Sequence, residues 1–198
     1  MKRIFTHLFV AVLLMVWMPS WARFENGKVY RIVCSGTTSV SLGASALTDV
    51  AAVSTSETDK SQQWYVTVSG SNYTFRNLAN GRYLQGNNTT SGGWSLTETS
   101  NNFTVSTVSN NYCIRQTGHS NGYAYMHKDA GNNIVSWESN AGNSQWTMYE
   151  VSYTTSELEA VWAKVESLVV PSTTVASYEE KLSAIFTDKA CKIGRAHV

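Results

Sequence analysis

From Val29 to Val151 the chain is built of short runs in which apolar and polar residues alternate, separated by Ser, Thr, Asn and Gly. Alternation with period two is the signature of half-buried strands. The runs fall into three series. Each opens on a tyrosine-bearing strand: Val29-Tyr30-Arg31-Ile32-Val33, Tyr73-Thr74-Phe75-Arg76 and Tyr112-Cys113-Ile114-Arg115. Turns with Gly36, Gly81 and Gly122 as candidate positive-φ positions follow. Second strands are predicted at Val40–Gly43, Arg82–Gln85 and Ala124–His127, and third strands near Ala51–Thr55, Trp94–Thr97 and Ile134–Trp137. Fourth strands begin at an aromatic landmark, Gln62-Gln63-Trp64, Asn101-Asn102-Phe103 or Ser144-Gln145-Trp146, recurring at about 40 residues. Twelve short strands in three four-stranded repeats predict an all-β chain, a closed barrel with a hairpin cap and few free edges.

Beyond Tyr153 the period changes to helical. Ser156-Glu157-Leu158-Glu159 has the form of a capping box, and Leu158, Val161, Trp162, Val165, Leu168 and Val169 recur on one face. Pro171 is expected to end this helix, and Ser177-Tyr178-Glu179-Glu180 to cap another bearing Leu182, Ile185 and Phe186. This apolar stripe has no obvious partner within the chain. Residues 154–192 therefore read as a helical linker or as the start of a downstream domain.

Both ends carry signals unrelated to the fold. Lys2 and Arg3 precede an apolar run from Leu8 to Met18, and Ser20-Trp21-Ala22 places small residues where a signal peptidase reads. Residues 1–22 are expected to be a signal peptide, too short in its apolar part to span a bilayer comfortably. The protein would then be exported, to the periplasm, the cell surface or the medium of a bacterium, with no membrane association after cleavage. The run Ile193-Gly194-Arg195-Ala196-His197-Val198 back-translates to a common sequencing-library adapter read in frame. Residues 193–198 are accordingly expected to be an adapter artefact, with native sequence ending near Lys192.

Charge and composition then narrow the function. The net charge of the whole chain is +1, and acids and bases balance between residues 23 and 153. Nucleic-acid binding by counterion release is disfavoured. The three cysteines, Cys34, Cys113 and Cys191, do not define a disulfide framework. Of the four histidines only His119 and His127 lie in the strand-rich region, too few for a typical zinc site, and no metal or cofactor is expected. There is no phosphate-cradling glycine loop and no nucleophile elbow. Glu98 and Glu138 would be held far apart by threefold symmetry, against glycoside hydrolysis by paired carboxylates. Seven Trp and ten Tyr beside polar loops suit sugar recognition, in which an aromatic ring stacks on apolar CH faces.

The thrice-repeated landmark, intact only in Gln62-Gln63-Trp64, resembles that of the ricin-type β-trefoil lectin family over roughly Phe24–Val151. The resemblance implies a β-trefoil over residues 23–153, with Trp64, Phe103 and Trp146 in its core. It also implies up to one carbohydrate pocket per repeat: a polar residue ending the second strand, an aromatic about ten residues before the landmark, then an Asn, and a bracing amide. Carried over by position, repeat three supplies His127 with Asp129 nearby, Trp137, Asn140 and Gln145. Repeat two supplies Gln85, Trp94 and Asn102, while repeat one has Gly43 and Thr55 and should lack a pocket. The implied function is non-catalytic binding of a glycan or polysaccharide, targeting a covalently linked downstream enzyme. Two alternatives stand beside it: a protein-binding trefoil using the loop Thr117–Gly122, and a structural spacer.

Overall fold

The computed structural model describes residues 24–168. Twelve strands follow in order: β1 (Lys28–Cys34), β2 (Val40–Ala44), β3 (Val50–Ser54), β4 (Gln63–Ser69), β5 (Asn72–Asn77), β6 (Tyr83–Gln85), β7 (Ser95–Thr97), β8 (Phe103–Val108), β9 (Asn111–Gln116), β10 (Tyr125–Lys128), β11 (Ile134–Trp137) and β12 (Trp146–Val151). One helix, α1 (Thr155–Leu168), follows them. The expected strands are present with ends shifted by a residue or two. The signal segment, Cys191, the second helix and the adapter-like run lie outside the described residues.

Six strands close a ring by antiparallel pairing, in the order β1, β4, β5, β8, β9, β12 and back to β1. Inward side chains alternate along each strand and fill the ring with Ile32, Trp64, Val66, Phe75, Phe103, Ile114 and Trp146, all essentially without solvent contact. Phe24 closes one end, its ring 5.1 to 5.7 Å from those of Tyr30, Tyr73 and Tyr112. These are the three strand-opening tyrosines, and their recurrence gives one phenylalanine a ready-made aromatic seat.

The other end is capped by hairpins β2–β3, β6–β7 and β10–β11. The hairpins bridge one another through Asp49 with Ser95, Ala51 with Asn133, and Gly93 with Val135, which leaves no inner edge unpaired. Each landmark locks a hairpin to the ring. Trp64 Nε1 donates to the Leu42 carbonyl at 3.0 Å, and Trp146 Nε1 to the Met126 carbonyl at 2.9 Å. Phe103 has no donor to offer. There the corresponding Leu84 carbonyl accepts instead from Asn101 Nδ2 at 3.2 Å, so the buried acceptor stays satisfied.

Of the three turn glycines, Gly81 has the expected positive φ, +71°; Gly36 and Gly122 do not. Gly36 is required for close approach, because a Cβ there would stand 2.9 Å from the Gly142 backbone carbon. Cys34 and Cys113 are free, buried thiols, and burial pushes the Cys113 thiol up to about 11.

Helix α1 does have a partner within the chain, contrary to the expectation from its stripe. Val161 and Val165 are buried against Val29 and Leu78 on the outside of the ring. Trp162 meets Tyr65 edge-on at 5.6 Å and lies over Arg76 at 4.2 Å. The cap also differs from expectation: Glu157 accepts from Thr154 N and Oγ1 at 2.8 and 2.7 Å, while Thr154 Oγ1 accepts from Glu157 N. Ser156 sits inside the first turn, and the capping box is Thr154 with Glu157.

Candidate functional site

Alternation divides the β10–β11 hairpin cleanly. Met126, Lys128, Ile134 and Ser136 are buried, which leaves Tyr125, His127, Val135 and Trp137 on the outer face. Register places Trp137 opposite Tyr125 and Val135 opposite His127. Around the half-buried Trp137 ring, Tyr123 packs edge-on at 5.8 Å and His127 lies tilted at 6.0 Å. His127 Nδ1 shares a 2.9 Å hydrogen bond with Oγ of the fully buried Ser144. That bond fixes the imidazole. Burial holds the His127 pKa below its ordinary value, with the nearby Asp129 opposing the shift, so the ring is neutral near pH 7.

The same outer face continues across the sheet. Tyr125 pairs with Arg115 on β9, and Arg115 with Thr104 on β8. The Arg115 guanidinium lies over the Tyr125 ring at 5.2 Å, a cation–π geometry. Thr104, Arg115, Tyr125 and Trp137 thus form one lateral row over four strands, with His127 and Tyr123 beside its aromatic end.

Asp129 plays a different part from the one expected. Its carboxylate accepts from Asn133 N at 2.8 Å and Asn133 Nδ2 at 2.9 Å, bracing the β10–β11 turn. Burial pushes its pKa up, but the bonds from Asn133 outweigh that and hold the carboxyl below the usual range. Gln145 does not brace this hairpin, since its Oε1 accepts from Asn111 Nδ2 at 3.3 Å. Ser144, two residues before the landmark aromatic, takes the bracing position instead. Asn140 is exposed in the loop that follows Trp137.

The second expected pocket is not assembled. Trp94 is 4% exposed, stacked on Phe103 at 5.7 Å, and its indole donates to Ser136 Oγ at 2.9 Å. It is part of the core beneath the hairpin cap rather than an open platform. Trp94 and Trp137 both lie nine residues before a landmark, yet they are not equivalent. Register sets Thr97 opposite Tyr83, just as it sets Trp137 opposite Tyr125. The connection from β7 to β8 is shorter than that from β11 to β12, so counting back from the landmark misaligns the two. Gln85 accepts from Ser95 Oγ at 3.3 Å. Asn102 is exposed, and its neighbour Asn101 reaches Leu84 O, Thr99 O and Thr97 Oγ1 instead. In the first hairpin, Ser41 faces Val53 and no aromatic residue stands on β2 or β3.

Arg115, Tyr123 and Tyr125 are members of this surface that sequence reasoning passed over, as it did Ser144, the buried support of His127. The signal was available. The Tyr-x-x-Arg openings of β5 and β9 are followed by Tyr83 and Tyr125 at matching register, and outward residues two apart share a face.

A separate cavity of about 570 Å³ lies where β1 begins and β12 ends, against the start of α1. Its polar lining is already engaged: Lys28 pairs with Glu150 at 3.0 Å, and Tyr153 Oη donates to Gln63 at 2.6 Å. The loop Thr117–Gly122 is tied to the second hairpin, with Asn121 N and Nδ2 bonded to Asn88. Among the described residues no group of three His, Cys, Asp or Glu side chains is placed to hold a metal ion.

No protein-family model matches the chain, and no curated protein is significantly similar to it. Solved structures do resemble it. The Macrolepiota procera ricin B-like lectin in complex with lactose has a TM-score of 0.56 at 16% identity, covering 64% of this chain and 98% of its own. The Rhizoctonia solani agglutinin has a TM-score of 0.57 at 14% identity, covering 66% and 99%. ThreeFoil, a designed threefold-symmetric protein, gives 0.51 at 17% identity, covering 62% and 99%. At such identities the likeness shows the fold alone. That fold is a β-trefoil.

Proposed function

We propose that residues 24–153 are a non-catalytic carbohydrate-binding module that holds a glycan on the outer face of the β10–β11 hairpin. The observation that carries this is the half-buried Trp137 ring on the outer hairpin face, with Tyr123 edge-on at 5.8 Å and beside it a histidine bonded to a buried serine. A pyranose stacks its apolar CH face on such an indole, while His127 and the exposed Asn140 meet its hydroxyls at set angles. The M. procera lectin, of the same fold, is a complex with lactose, which agrees with this reading. Asp129 supports the site from the turn. Gln85, Trp94, Asn102 and Gln145 are assigned to the scaffold. The twelve strands are read as three four-stranded copies of which the third keeps a working face. We further read the chain as exported and the module as targeting a covalently linked enzyme to polysaccharide, on the strength of the signal-like residues 1–22 and the helical residues after Tyr153.

A glycan and polysaccharide array with the chain and its Trp137→Ala variant tests the reading. Binding that is lost in a variant of unchanged melting temperature is the expected result. Equal binding by the two proteins, or none by a folded parent, would refute it.

A further inference from the structure

Among the described residues an Arg–Tyr pair stands twice at matching register, and helix α1 covers one of the two. On β4, β5, β6 and β7, register aligns Tyr65, Arg76, Tyr83 and Thr97. Arg76 lies over Tyr83 at 5.5 Å, matching Arg115 over Tyr125 at 5.2 Å. Arg76 is sandwiched between two rings: besides Tyr83, the Trp162 ring of α1 sits 4.2 Å from its guanidinium carbon, and its Nε donates to Gly81 O at 2.8 Å. Gly81, with Val165 packed directly where a Cβ would be, lets the helix come that close.

Among the described residues the half-buried Arg115 stacks on Tyr125 alone. The three ion pairs among the described residues engage Lys28, Arg31 and Arg82. A guanidinium resting on a ring uses its face, which leaves the in-plane N–H fork free for a two-oxygen acceptor. The acids of this region lie toward the other end of the face, where Asp129 and Glu138 act on His127, and both Asp129 oxygens are already bonded to Asn133. Two strand spacings, roughly 10 Å, separate Arg115 from Trp137 along the row.

We propose that this face selects anionic glycans: Trp137 stacks on one sugar ring, and Arg115 receives a carboxylate or sulfate carried by the same or the adjoining residue. The inference rests on the carbohydrate reading above and adds the ligand's charge and its orientation. Arg115 is the specificity-determining residue, Tyr125 its support. A guanidinium that meets an acid bidentately discriminates against the neutral analogue by leaving its own donors unpaired.

The test is an array of matched glycans, each neutral backbone printed beside versions carrying sialic acid, a uronic acid or sulfate. It is probed with the chain, with Arg115→Gln and Arg115→Lys, and with Arg76→Gln as the covered counterpart. Expected is a roughly five- to tenfold preference for the anionic members, weakening as salt is raised. Arg115→Gln should remove the preference and keep neutral binding, with Arg115→Lys intermediate and Arg76→Gln unchanged in preference. The carboxylate and sulfate arms separate the two acid chemistries. Equal binding of neutral and anionic members, or a preference that survives Arg115→Gln, would overturn the proposal and leave the carbohydrate reading standing. Silence from every member with a folded chain would overturn both.

Discussion

The rows built on Arg76 and Arg115 share register and a central Arg–Tyr cation–π pair, and they differ in their end residues and in what lies on top. One carries Trp162 of α1; over the other, among the described residues, no second ring or acidic partner is placed. The same Arg–Tyr pair thus packs under a helix in one place and flanks the proposed site in another. The difference is made by a helix that meets one row and not the other. A recurrent motif in a trefoil identifies a position, and its surroundings decide its use.

The two tryptophans once paired by offset give the sharpest way to break that comparison. Trp94→Ala should cost about 3–5 kcal/mol, because it empties a packed core site and removes the indole donor to Ser136 Oγ. Trp137→Ala should cost under about 1 kcal/mol while abolishing glycan binding. Chemical denaturation of both variants checks this, and similar losses for the two would contradict the register argument. Next in size is Trp162→Ala, expected to cost about 1–3 kcal/mol by removing the ring over Arg76 and the edge contact on Tyr65. Hydrogen exchange should then speed throughout α1 and leave the β10–β11 hairpin unchanged. Uniform acceleration across both regions would show that the helix is not an independent cover.

Smaller still is Asn101→Ala, at about 1–2 kcal/mol, since it leaves the Leu84 carbonyl without the donor that Trp64 and Trp146 supply to its counterparts. Melting curves would settle it, and a neutral result would mean another donor, or water, satisfies that carbonyl. The least effect is that of pH. His127 is held below its ordinary value of 6.5 in the folded state, chiefly by burial, so the unfolded chain binds the proton more tightly. Its contribution to stability is therefore present above about 6.5 and is lost as pH falls below that. His127→Gln should flatten the decline in melting temperature between neutral and mildly acidic pH. An unchanged slope would assign the decline to other groups such as His119, whose pKa is also lowered by burial.

Much of this was legible in the sequence. Alternation and the recurring landmark located the twelve strands, because a closed sheet leaves each strand one inward face. The three strand-opening tyrosines were visible too, and the aromatic seat of Phe24 follows from them. What failed was measurement across loops. Counting nine residues back from Phe103 and from Trp146 crosses connections of unequal length, and lands on a core residue in one case and a surface residue in the other. Bracing was misassigned to Asn102 and Gln145 for a related reason. Gln62, two residues before Trp64, accepts from Ser56 N at 2.9 Å and donates to Ser54 O at 3.0 Å, and Asn101 and Ser144 occupy the same offset. Helix α1 was recognised, but its docking on Val29 and Leu78 was not, because the outward faces of ring strands carry no periodicity that announces a partner.

The central claim places a sugar on Trp137 and on no other described tryptophan. Indole N–H resonances report this directly in a two-dimensional NMR titration of the chain with a glycan retained by the array. The account predicts a saturable shift of the Trp137 signal, with those of Trp64, Trp94, Trp146 and Trp162 held in place. A titration that moves Trp94 or Trp162 and leaves Trp137 unmoved would contradict it.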